Sequence, residues 1–149
     1  MALIHLAEAR ATDLLEALGD SGAGAGVRTR TAFGRLARQV EGGVAVTVRS
    51  ADGRLAAVAG LWPDPDQPDE AEAWFAAGPA LRGVLLATLR ALGGVLGLAG
   101  AEAAPLTVRA YIHPASVAGG RLAARLGLSA EGTVDHPLGR LDQWTRRFP

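Results

Sequence analysis

Residues 106–128, LTVRAYIHPASVAGGRLAARLGL, limit the possible folds of this chain more than any other stretch. Seven residues rich in apolar, β-branched and aromatic side chains run into His113-Pro114, where the fixed φ and missing N–H of proline end a strand. Ser116 then stands where a helix N-cap belongs, and Ala118, Leu122 and Leu126 recur at helical spacing over 116–126. Gly127 supplies the exit. A strand that arrives after an earlier strand and a long helix calls for a parallel crossover, so the chain upstream must provide the partner strand.

Residues 70–77, EAEAWFAA, are the candidate. Pro63, Pro65 and Pro68 force a loop before them. Pro79 follows near the start of a long helix, where its missing N–H costs nothing. Leu81, Leu85, Leu89, Leu92 and Leu96 mark the buried stripe of that helix, with Leu89 at mid-stripe expected to be fully buried. Farther upstream, 44–48 and 55–61 are β-rich runs joined around Asp52-Gly53, a hairpin signal. Residues 3–6 read as a short first strand, and Asp13 with Glu16 forms a capping-box pattern opening a helix over 14–18. GDSGAGAG at 19–26 is a connector, and Phe33, Leu36, Ala37 and Val40 give 31–40 the spacing of a second helix. Two short strands, 129–135 and 141–148, close the chain around a turn at 136–140. The expected order is β-α-α-β-β-β-α-β-α-β-β, a mixed α/β single domain over 1–149.

Composition removes several functions. A chain of 149 residues with 49% hydrophobic content buries one real core. A formal net charge of +0 with no basic run offers no footprint for nucleic acid or a membrane surface. All 15 basic residues are arginine, in keeping with a GC-rich bacterial genome, so no lysine Schiff base is available. Absence of cysteine excludes disulfides, thiolate catalysis and cysteine-bound metal. His5, His113 and His136 are dispersed and point to no metal site. The N-terminus lacks the basic n-region of a signal peptide, and residues 84–101, broken by Arg90, Gly93, Gly94 and Gly97, read as a core helix rather than a membrane span. A cytoplasmic protein is the expectation.

The element order, the strand Ala73-Trp74-Phe75-Ala76-Ala77-Gly78 ahead of the long helix, and the run Arg109-Ala110-Tyr111-Ile112-His113 through Leu126-Gly127-Leu128 resemble the GNAT superfamily of N-acetyltransferases over almost the whole chain. The closest look is to its phage- and prophage-type subgroup. The resemblance implies a mixed sheet of six or seven strands flanked by about four helices, with an acyl-CoA cleft where strands 70–77 and 106–112 diverge. It also implies a turn opening the long helix whose amides hold the pyrophosphate, since orphan N–H groups and the helix dipole favour an anion there. Of the family's arginine and spaced glycines, only Arg82-Gly83 remains within Gly78-Pro79-Ala80-Leu81-Arg82-Gly83-Val84. Trp74, Ala76, Gly78, Arg82, Gly83 and Ser116 are the implied cofactor contacts, with acetyl-CoA or another acyl-CoA as cosubstrate and no metal.

A family tyrosine that protonates the leaving thiolate sits four residues before the exit glycine, which falls on Ala123 here. Tyr111 is the substitute on condition that it faces the cleft, which strand parity does not decide, and Glu70 or Glu72 is the base, since residues two apart on a strand share a face. Each has a plainer alternative. The two glutamates after Asp64, Asp66 and Asp69 also read as a solvated loop, Arg82 as a surface charge, Ser116 as an N-cap, and Trp62, Trp74 and Trp144 as core or cleft wall. Two functions follow. One is an acyl-CoA-dependent N-acyltransferase acting on an amine-bearing small molecule or a protein N-terminus. The other is an inactive GNAT-fold binding or assembly protein with protein partners, such as a component of a phage-derived particle associated with the virion.

Overall fold

The computed structural model describes residues 3–19 and 42–149. Seven strands form one sheet: β1 (Ile4–Glu8), β2 (Val44–Ser50), β3 (Leu55–Pro63), β4 (Glu70–Ala77), β5 (Leu106–Ile112), β6 (Ser129–His136) and β7 (Gly139–Phe148), in the order β1-β2-β3-β4-β5-β7-β6. The described helices are α1 (Ala11–Gly19), α2 (Leu85–Glu102), preceded by a 3₁₀ turn at Leu81–Val84, and α3 (Val117–Arg125). The helix expected at 31–40 lies outside the described residues. The sheet is mixed: β1–β2, β2–β3, β5–β7 and β6–β7 are antiparallel, while β4–β5 is parallel. The partner strand demanded by 106–112 is therefore 70–77, in the register Glu70↔Thr107, Ala71↔Val108 and Glu72↔Arg109. Both strands run on past that last pair, to Ala77 and Ile112.

The chain divides into two compact units, Met1–Trp62 with Trp74–Thr88, and Pro63–Ala73 with Leu89–Pro149. In the first, Leu14 and Ala17 of α1 share a core with Ala45, Leu55, Val58, Trp74 and Ala76. Helix α1 begins earlier than its capping-box pattern indicates. Asp13 sits inside the first turn and accepts the Arg10 N–H at 2.9 Å, the reciprocal half of a capping box. The same carboxylate accepts from the Thr47 hydroxyl at 2.8 Å and from Arg49 at 2.9 Å, and Arg49 also pairs with Glu16 at 2.9 Å. The predicted capping pair thus ties α1 to β2. Burial, the largest single influence on Asp13, pushes its carboxyl up. The bonds from Arg10, Thr47 and Arg49 outweigh it and hold the carboxyl below the ordinary value. The β2–β3 hairpin turns at Gly53, whose φ of 84° favours glycine, closed by Gly53 N–H to Ser50 C=O at 2.9 Å.

Helix α2 corrects the leucine stripe. Thr88, Leu92, Leu96 and Gly100 are its buried positions, whereas Leu89 is only partly covered and Leu85 and Leu86 are exposed. Of the expected stripe only Leu92 and Leu96 are buried, and the covered face runs through Thr88, Leu92, Leu96 and Gly100 instead. It closes fully where the Phe148 ring lies on Gly100. By length and composition Leu81–Glu102 is apolar enough to cross a membrane. Helix α3 corrects a second face: Ala118 is exposed and Ala123 is the buried residue. Its contact face is made of small residues, because the Ile112 side chain comes to Gly119 and the Trp144 ring to Gly120.

Candidate functional site

Strand alternation and register place a polar cluster on one face of the second unit. Glu72 pairs with Arg109, Arg109 with Thr145, and Tyr111 with Gln143, so these side chains share a face with Glu70. His136 joins them, since its β7 partner Gly139 is two and four positions from Leu141 and Gln143. Glu70 and Glu72 are half-buried strand residues, not the continuation of a solvated loop.

Arg109 Nη1 forms an ion pair with Glu70 Oε2 across the parallel strands, both side chains about a quarter exposed. The hydrogen bond to Glu70 is the main reason the guanidinium holds its proton above the ordinary value, against an opposing effect of burial. Glu70 is thereby committed to Arg109. The Tyr111 phenol is pushed up, first by burial and then by the negative field of Glu72, Glu70 and Asp64, with Arg109 opposing. It therefore keeps its proton at neutral pH. The His136 ring lies 4.8 Å from the Tyr111 ring, tilted by 42°.

In the first unit, Trp74 and Ala76 are buried in the core, and the Trp74 Nε1 has no hydrogen-bond partner among the described residues. Beyond β4, the Gly78 N–H donates to Ala56 C=O at 2.8 Å and the Ala80 N–H to Leu55 C=O at 2.9 Å. The Leu81 and Gly83 amides donate to Gly78 and Ala80 carbonyls, each at 3.2 Å. Gly78 is glycine because a Cβ there would overlap the Leu55 backbone. Four amides of the segment expected to cradle a pyrophosphate are thus engaged, and Pro79 has none. What the turn presents outward is the exposed Arg82 side chain beside exposed Gly83.

Ser116 is the N-cap of α3, accepting the Gly119 N–H at 3.1 Å, and His113 Nδ1 accepts the Ala115 N–H at 3.1 Å. Both serve the turn, which gives no nucleophile–base pair. Ala123, at 4% exposure, lies inside the packing of α3, so no proton donor stands there and Tyr111 is the phenol of the site. Arg109 and His136 were not anticipated. Arg109 was within reach, since alternation puts it on the Tyr111 face. Nothing in sequence spacing brings position 136 to position 111. No group of three or more potential ligands for a metal occurs among the described residues. A separate cavity of about 630 Å³ in the first unit is lined by Asp13, Thr47 and Arg49, whose polar groups bond to one another.

The sequence matches no protein-family model and no curated protein. Solved structures do match. The aminoglycoside acetyltransferase AAC(6')-Ib in complex with coenzyme A is similar at 11% identity over 97% of this chain and 95% of that one, with a TM-score of 0.69. A spermidine N-acetyltransferase chimera of Vibrio cholerae SpeG and hSSAT is 14% identical over 97% and 95%, with a TM-score of 0.66. A Desulfovibrio desulfuricans protein assigned to the GNAT family of acetyltransferases is 15% identical over 99% of both chains, with a TM-score of 0.69. Together with the sheet order, these likenesses define the class: the chain has the GNAT acetyltransferase fold.

Proposed function

We propose that the chain is an acyl-CoA-dependent N-acyltransferase acting on an amine, with acetyl-CoA or another acyl-CoA as cosubstrate. The observation that carries this is the half-buried sheet face where Glu72, the Arg109–Glu70 pair and the protonated Tyr111 phenol stand together. Fold alone fixes no chemistry, so the proposal rests on that face. The likeness to enzymes named for aminoglycoside and spermidine acetylation supports an amine acceptor, a small molecule or a protein N-terminus.

In this mechanism the acceptor nitrogen attacks the thioester carbonyl, forming the C–N bond as the C–S bond breaks. Glu72 takes the proton released by nitrogen, being the carboxylate at the last β4–β5 pair, beyond which the two strands run on no longer paired to each other. Tyr111 gives its proton to the departing thiolate sulfur. Arg82 supplies a guanidinium fork for a phosphate, in place of the engaged amides. Trp74, Ala76, Gly78, Gly83 and Ser116 are kept as the candidate surroundings of the cosubstrate, with structural work of their own as described above.

The test is release of free thiol from acetyl-CoA in the presence of a panel of amines: a polyamine, an aminoglycoside, an amino acid and a peptide N-terminus. The chain has no cysteine, so a thiol reagent reads coenzyme A alone. Amine-dependent release supports the proposal. Its absence across the panel, in folded protein that does not bind acetyl-CoA, removes it.

A further inference from the structure

We infer that His136, at the end of β6, is a positioning residue that fixes the Tyr111 ring on this face; the inference deepens the proposed role of Tyr111 as proton donor and rests on it. The two residues lie on strands separated by β7, yet their rings are 4.8 Å apart. On β7, Leu141 falls between their registers on the same face and is buried. The rings meet over the strand that separates them.

The His136 ring has little freedom of its own. The Leu138 N–H donates to its Nδ1 at 3.1 Å, a bond across the β6–β7 turn that needs Nδ1 without a proton. The bond ties the ring to the β6–β7 turn. Tyr111 holds its hydroxyl in the negative field of Glu72, Glu70 and Asp64, with the positive charge of Arg109 opposing them. A ring packed against it at a tilt selects one orientation of the phenol and shields it from water. Burial is the largest reason its proton is held, and His136 supplies part of that cover.

Tyr111 is the only tyrosine in the chain, so the absorbance of tyrosinate during an alkaline titration reports this residue alone, whatever the protein catalyses. Two variants separate the ring from the turn bond. His136→Asn keeps a side-chain acceptor for the Leu138 N–H and removes the ring. His136→Phe keeps a ring and removes the acceptor. The titration midpoint is expected to fall toward that of a free phenol in His136→Asn and to stay raised in His136→Phe, with a thermal melt confirming that each is folded.

In amine-dependent thiol release, His136→Asn should lower kcat by about tenfold or more while KM for acetyl-CoA holds, with His136→Phe restoring most of the loss. An unchanged midpoint in folded His136→Asn overturns the inference. Should that variant not fold, a midpoint at the free-phenol value in His136→Phe overturns it instead. A wild type that releases no thiol removes the acyltransferase reading, while the titration still decides whether His136 holds Tyr111.

Discussion

The packing of α2 is tested most sharply by two glycines of the same helix. An added Cβ at Gly100 would run into ring carbons Cδ1, Cε1 and Cζ of Phe148, whereas one at Gly94 would meet nothing within 4 Å. Alanine favours a helix interior over glycine by about 0.8–1 kcal/mol, so Gly94→Ala should stabilise the protein by about 0.5–1 kcal/mol. Gly100 lies in the last turn of α2, where that gain is smaller, and it must be set against displacement of the ring. The ring is not free to swing: the Arg146 guanidinium stacks over it at 4.5 Å, a contact of about 0.5–1 kcal/mol. Overpacking of a close contact costs about 1–3 kcal/mol, which leaves Gly100→Ala destabilised by about 1–2 kcal/mol. Urea unfolding followed by tryptophan fluorescence measures both, with the variants on opposite sides of the wild-type midpoint at unchanged m. A Gly100→Ala midpoint that rises with Gly94→Ala would refute the Gly100–Phe148 contact. Phe148→Leu in the Gly100→Ala background should recover part of the loss.

Along the same helix, Leu92→Ala should cost about 2–5 kcal/mol and Leu89→Ala distinctly less, because Leu92 is buried and Leu89 only partly so; equal losses in urea unfolding would contradict this. Asp13 has its folded-state carboxyl lowered, so its contribution is complete above the unfolded value of about 3.9 and is lost as pH falls through the lower folded value. Stability of Asp13→Asn should accordingly decline less steeply in acid than that of the wild type, as followed by melting temperature against pH. Saturating acetyl-CoA should raise the melting temperature, by an amount equivalent to about 2.7 kcal/mol at a hundred times Kd, and Arg82→Ala should reduce the rise. An equal rise in Arg82→Ala would place the phosphate away from that side chain.

The strands were legible in the sequence and the packing faces were not. Residues 70–77 and 106–112 have the bounds expected of them because Pro68, Pro79, Pro105 and Pro114 punctuate them, and proline acts locally. The faces of α2 and α3 depend on which neighbours arrive. Counting leucines could not show that Thr88 and Gly100 would be covered, nor that Ile112 and Trp144 would press α3 down onto glycine and alanine. The site divides in the same way. Glu70 and Glu72 rest on strand parity and family resemblance, and their shared face holds; parity alone does not decide which way Tyr111 faces, and the β4–β5 register puts it on their face. The ion pair that commits Glu70 depends on the β4–β5 register, and the His136–Tyr111 contact on the order β5-β7-β6. Neither is written in local spacing. Asp13 shows the remaining difficulty: a capping pattern is visible, but the bonds its carboxylate also accepts from Thr47 and Arg49 of β2 are not written in that pattern.

The most direct measurement is amine-dependent thiol release from acetyl-CoA by wild type, Glu72→Gln and Glu70→Gln, each checked for folding by thermal melt. The two carboxylates share a strand and a face; Glu70 is ion-paired with Arg109, and Glu72 stands at the last β4–β5 pair. The account predicts that Glu72→Gln lowers kcat by about 10²–10⁴-fold, the usual contribution of a positioned base, with KM for acetyl-CoA little changed. Glu70→Gln should leave most of the turnover and act mainly on stability. A Glu72→Gln variant as active as the wild type, or one matched in its loss by Glu70→Gln, would contradict the assignment of Glu72 as the base.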